Sequence, residues 1–120
     1  KEYFTKGKEL AKNQIRMVEE ILLESDVPFS ATSGSTVTTS TIAPFSDKLM
    51  MFCVYLLNGY GIVGGSFGTI FSLRNDISMK TALSTKNVYF FAQTGIKIMI
   101  KNGWLEEPPQ MEDRAKIIKD

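Results

Sequence analysis

The residue types that most often carry catalytic chemistry are scarce in this chain. It contains no His and one Cys, with 13 Asp and Glu against 14 Lys and Arg. Without His, the chain alone cannot build a Ser-His-Asp or Cys-His nucleophile, a zinc protease site or the Glu-x-x-His pairs of di-iron bundles. A hard-metal site made only of carboxylates remains open, but we expect the acidic residues to be solvated surface. We predict a protein that is not an enzyme, with no catalytic residues, no metal ligands and no cofactor.

One glycine-rich stretch has the spacing of a dinucleotide-binding motif. Residues Gly59–Gly64 match G-x-G-x-x-G after an apolar run, and Asp76 follows at about the distance of a ribose-binding acid. The motif requires a strand, a turn and a helix, whereas the residues that follow have a helical pattern. Glycines four residues apart also let two helix backbones approach closely. We therefore predict helix-packing glycines, with dinucleotide binding as a less favoured alternative. The predicted packing residues are Gly61, Gly64, Gly65 and Gly68.

The single cysteine and the net charge exclude further classes of partner. Cys53 lies between Phe52 and Val54, so we expect a buried, unreactive thiol. A formal net charge of +1 argues against nucleic acid or an anionic membrane surface as the main partner.

Three long helices account for most of the apolar pattern. Residues 1–26 have apolar residues on one helical face and alternating charges elsewhere, and Pro28 follows. A second helix, 46–74, begins at the capping residue Ser46, and a third, 77–101, ends at Asn102-Gly103. A long Ser- and Thr-rich crossover loop, 28–44, joins the first two helices, and a short helix is expected at 114–118.

The second helix contains no charge from Leu49 to Leu73. That length satisfies the criterion for a transmembrane helix, so membrane insertion stays open as an alternative. Glycines and polar residues within the run, and flanks without a decisive charge asymmetry, favour a soluble protein instead. A helix that is apolar all round can be the central helix of a bundle, and we expect 46–74 to be buried on most sides.

Three segments carry a resemblance to a known family. Val37–Met51, which includes PFSDKLMM, is similar to its linker and helix start; Arg74–Ile77 resembles its helix junction; and Ile98–Gln110, which includes GWLEEPPQ, resembles its closing signature. On these residues the chain resembles a family of domains of unknown function from Gram-positive spore formers. That family is similar to spore coat protein F and has a ferritin-like four-helix architecture. The resemblance extends from about Phe4 to Arg114.

The resemblance implies an all-α, ferritin-like up-down bundle over 1–120, the latter part of a longer repeat. It also implies a non-catalytic, spore-coat-like structural or interaction protein that is cytoplasmic or lies in the forespore or spore coat. Only three long helices are visible, so we expect a second copy, as a homodimer, or another protein chain to supply the fourth helix. A ligand- or metal-binding ferritin-like bundle is the alternative. The groove left by the missing helix is predicted to be bordered by Leu56, Tyr60, Ile62, Phe67 and Phe71.

Overall fold

The computed structural model describes residues 1–29 and 39–106, which form three helices and, within those ranges, no strand. Helix α1 is Glu2–Glu24, α2 is Asp47–Phe71 and α3 is Asn75–Lys101. The predicted all-α class and the three helices are confirmed. The crossover at 28–44 is described only at its two ends, and the short helix expected at 114–118 lies outside the described residues.

The start of α2 is confirmed and the start of α3 is corrected. The Ser46 hydroxyl accepts a hydrogen bond from the Leu49 amide at 3.3 Å, as an N-cap does. The second and third helices were predicted as 46–74 and 77–101, but α2 ends at Phe71, α3 begins at Asn75, and the chain turns at 72–74. The Ser78 hydroxyl donates to the Thr69 carbonyl at 2.9 Å, which fastens the two helices at this turn.

Two helices end in the same hydrogen-bond pattern. After α3, Gly103 has a φ of 66°, its amide donates to Ile100 O, and the Trp104 amide donates to Met99 O, both at 2.9 Å. This is a Schellman motif, whose left-handed residue is usually Gly. The end of α1 repeats it with Asp26 at a φ of 52°, a conformation that costs a non-Gly residue energy.

Helix α3 lies between the other two. Both α1 and α2 pack against it, but no Cα of α1 lies within 8 Å of a Cα of α2. At the α1–α3 contact, the Tyr3 and Phe91 rings stack with centroids 4.2 Å apart. The space they occupy is left by glycines: a Cβ on Gly95 would lie 2.8 Å from Tyr3 Cζ, and one on Gly7 would lie 2.7 Å from Phe91 Cζ.

The buried core is small and leaves α2 largely uncovered. Its members are Tyr3, Met51, Val88, Ala92 and Met99. Only Met51 comes from α2. The prediction that 46–74 is buried on most sides is therefore wrong, because α3 covers one side of α2 and α1 reaches α2 only through side chains such as Tyr3, which shares the core cluster with Met51. The predicted burial of Cys53 is wrong for the same reason: its thiol is exposed.

Candidate protein-interaction surface

The glycines of α2 differ in what they face. A Cβ added to Gly65 would overlap the Thr85 hydroxyl on α3 and lie 3.2 Å from Thr85 Cβ. One on Gly68 would lie 3.2 Å from Thr81 Cγ2, and one on Gly61 would lie 3.8 Å from Val88 Cγ1. Gly65 and Gly68 therefore lie where α3 comes closest to α2, with Gly61 in looser contact.

Gly64 belongs to a different face. A Cβ there would meet nothing within 4 Å. The prediction grouped Gly64 with the other three because it combined two four-residue spacings, one from Gly61 to Gly65 and one from Gly64 to Gly68. Within this structure Gly64 does not lie against α3.

The outward side of α2 presents an apolar row along the whole helix. Its members recur at alternating spacings of four and three residues, the heptad pattern by which one helix packs on another. All seven side chains are exposed, including Tyr60 at 77% and Ile70 at 71%. We call this row the α2 seam; it comprises Leu49, Cys53, Leu56, Tyr60, Val63, Phe67 and Ile70.

The five predicted groove residues do not all lie together. Leu56, Tyr60 and Ile62 line an open groove of about 510 Å³ whose other wall is α3, at Tyr89, Ala92, Gln93 and Ile96. Ile62 is half-buried, whereas the other four are exposed. Phe67 and Phe71 lie beyond the groove, with their rings stacked at a centroid distance of 5.8 Å. Leu56, Tyr60 and Val63 belong both to the groove and to the seam.

Four seam residues were not predicted: Leu49, Cys53, Val63 and Ile70. Their alternating spacing is present in the sequence, but a run that is apolar on every side hides its own period. The fold separates the faces: α3 covers the glycine side, and the seam is what remains uncovered.

Among the buried polar side chains of α2, all but one have a hydrogen-bond partner. The Ser66 hydroxyl donates to the Ile62 carbonyl at 2.8 Å, and the Thr69 hydroxyl donates to the Gly65 carbonyl at 2.9 Å. The Asn58 amide nitrogen is the exception, buried without a hydrogen-bond partner in the described part of the chain. It lies toward α1, beside a small cavity of about 210 Å³. The seam itself carries no unsatisfied buried polar atom among those described.

Charge plays little part near this surface. Burial raises the pKa of the Tyr3 phenol. At the turn between α2 and α3, Arg74 pairs with Asp76 at 2.8 Å, and the hydrogen bond lowers the pKa of that carboxyl. Both groups of the pair are exposed, so it adds little stability.

The geometry of the described residues does not support the metal-binding and dinucleotide-binding alternatives. Within residues 1–29 and 39–106, no group of three or more His, Cys, Asp or Glu side chains could hold a metal ion. Residues Gly59–Gly64 lie inside α2 rather than at a strand–helix turn. The structural unit that a dinucleotide-binding motif requires is therefore missing around this one.

One helix of the described residues, α2, is long and apolar enough to cross a membrane. Only 6% of its most apolar 18-residue window is buried. Length and composition alone do not indicate a membrane span, since the central helix of a bundle satisfies the same criteria.

Comparison with known proteins places the chain in a family. The sequence profile of proteins of unknown function named DUF3231 matches residues 1–117. Among solved structures, the chain is similar to a protein of Bacillus halodurans C-125 described as a candidate spore coat protein. The TM-score is 0.75 at 19% identity, over 94% of this chain and 74% of that one. This likeness shows the fold alone, and no curated protein matches the chain significantly. Because the profile spans nearly all of the sequence, the chain belongs to the DUF3231 family of proteins of unknown function.

Proposed function

We propose that this protein is a non-catalytic structural component that assembles through the exposed outer face of α2. The observation that carries the proposal is the α2 seam, an uncharged apolar row along the full helix with every side chain exposed. Soluble proteins rarely leave a continuous apolar patch of this size facing water. Such patches commonly mark a contact with another protein.

The arrangement of the helices supports the same role. Helix α3 presents adjacent faces to α1 and α2, as a corner helix of a four-helix bundle does. The three helices then leave one bundle position open. We propose that a helix of another chain occupies it and completes a ferritin-like up-down bundle.

Association with the spore is part of the proposal. It is supported by the fold shared with the Bacillus halodurans protein and its description as a candidate spore coat protein. Antibody detection in fractionated spores of the source organism would test it. We expect the protein in the forespore or coat fraction; its confinement to vegetative cells would contradict a coat role.

Substitution of two exposed seam residues tests the assembly surface. Tyr60→Lys and Phe67→Lys place a charge where an apolar contact is proposed, and each should lower the molar mass measured by light scattering. Met79→Lys is the matched control, because Met79 is an apolar residue on α3 that is 68% exposed. Wild-type mass in both seam variants, with unchanged helical circular dichroism, would refute the proposed surface.

Membrane insertion is the second candidate, favoured by the length, composition and exposure of α2. In that case the protein purified without detergent should aggregate. It should also float with phosphatidylcholine vesicles in a density gradient. A protein that stays soluble and sediments away from the vesicles would exclude this candidate.

A further inference from the structure

The α2 seam also indicates which partner it fits. Resting on the proposed function, we propose that the seam pairs with the seam of a second copy of this chain, with the two α2 helices antiparallel. The seam residues span Leu49 to Ile70, about 32 Å of helix at 1.5 Å per residue. An apolar heptad pattern sustained over three repeats is typical of a helix that pairs with another helix.

The exposed area matches what a stable dimer needs. From the exposed fractions of its six larger members, the seam presents on the order of 700 Å² to solvent, close to the roughly 800 Å² that each partner contributes to a standard interface. Flanking apolar side chains add to this area, among them Leu57, which is 68% exposed. A twofold pair covers the same surface on both chains, so neither copy is left with an open face.

The order of side-chain sizes along the seam favours the antiparallel direction. In a parallel pair each residue faces its own copy, so small Cys53 would face Cys53 and large Phe67 would face Phe67. One layer would be underfilled and another crowded, and both cost stability. In an antiparallel pair, Cys53 faces Ile70, Leu56 faces Phe67 and Tyr60 faces Val63. Each of these layers joins a smaller residue to a larger one, and Leu49 lies beyond the paired segment.

Between Cys53 and Ile70, no charge or unsatisfied polar group opposes this pairing. The seam contains no ionisable Asp, Glu, Lys or Arg, and the Ser66 and Thr69 hydroxyls are already bonded to α2 carbonyls. Antiparallel helices also align their dipoles favourably. The Tyr60 hydroxyl lies at the side of the layer, where it can stay in contact with water.

Disulfide trapping with the native cysteine tests both the partner and the direction. In the antiparallel register the two Cys53 residues lie about 25 Å apart along the helix axis, far beyond the roughly 7 Å Cα separation that a disulfide allows. Wild-type protein treated with copper phenanthroline should therefore stay uncrosslinked on a non-reducing gel. Ile70→Cys places a thiol opposite Cys53 of the other copy and should give a crosslinked dimer. Met79→Cys, equally exposed on α3, should not.

The outcomes separate this inference from the proposed function. Light scattering should give twice the chain mass of 13.4 kDa for the wild-type protein. Crosslinking of wild type through Cys53, or none in Ile70→Cys, would overturn the antiparallel pair. If Tyr60→Lys still lowered the mass in that case, α2 would remain the assembly surface. A mass that Tyr60→Lys does not change would overturn both.

Discussion

Adding one methyl group at Gly64 or at Gly65 should change stability in opposite directions. Both are glycines of α2 and each becomes Ala, so the intrinsic gain in helix propensity is the same, about 0.8–1.0 kcal/mol. The two sites differ only in their surroundings. A Cβ at Gly64 meets nothing within 4 Å, whereas a Cβ at Gly65 overlaps the Thr85 hydroxyl on α3.

The structure sets the size of the difference. Gly64→Ala should raise the free energy of unfolding by about 1 kcal/mol. At Gly65, either Thr85 must rotate and lose its 2.9 Å hydrogen bond to the Thr81 carbonyl, or α2 must move away from α3. Overpacking of this kind costs about 1–3 kcal/mol, which exceeds the propensity gain. Gly65→Ala should therefore lower the free energy of unfolding by about 1 kcal/mol, roughly 2 kcal/mol below Gly64→Ala.

Urea unfolding followed by circular dichroism at one protein concentration measures both values. Gly59→Ala, which also meets no atom within 4 Å, is a second control and should behave like Gly64→Ala. In the double variant Gly65→Ala/Thr85→Ala the overlap is removed, so most of the loss at Gly65 should return. An equal gain in stability at Gly64 and Gly65 would refute the close approach of α2 and α3.

Three further predictions concern the ends and the α1 contact. Gly95→Ala should lower the free energy of unfolding by about 1–3 kcal/mol in urea, because its Cβ would lie 2.8 Å from Tyr3 Cζ; no loss would contradict the stacking of α1 on α3. Asp26→Gly should raise the melting temperature slightly, by the equivalent of about 0.5 kcal/mol, since it relieves a φ of 52°. Gly103→Ala should lower the melting temperature. A lower melting temperature for Asp26→Gly and a higher one for Gly103→Ala would refute the two C-caps. Burial raises the pKa of Tyr3 above its ordinary 10.0, so its contribution to stability is complete below about pH 10 and is lost as the pH rises through the folded-state pKa. Across that pH range, the free energy of unfolding should fall less steeply with pH for Tyr3→Phe than for wild type. An identical pH dependence of the two proteins would contradict the burial of Tyr3.

The helices were predictable because their signals are local. Ser46 and the residues after it specify a helix start, and Gly103 specifies a stop, through backbone hydrogen bonds that need no distant partner. The start of α3 was misplaced by two residues because Asn75 and Asp76 suit a cap as well as a first turn. Local preferences therefore allow either assignment, and the packing of Ser78 against the end of α2 favours the first-turn position for Asn75 and Asp76.

The surface of α2 could not be predicted because it depends on how many neighbours the helix has. Its composition is that of a core helix, and the sequence analysis placed it in a core. With α3 covering only the side of Gly61, Gly65 and Gly68, residues such as Cys53 and Tyr60 face outward. The sequence of a uniformly apolar helix does not indicate which of its faces packs against its own chain and which packs against another chain.

The molar mass in solution tests the central claim most directly, and light scattering on the wild-type protein without detergent, beside Tyr60→Lys, would measure it. The account predicts twice 13.4 kDa for wild type and the mass of one chain for Tyr60→Lys, with the same helical circular dichroism. A wild-type protein that is soluble as a single chain at every concentration tested would contradict assembly through the α2 seam.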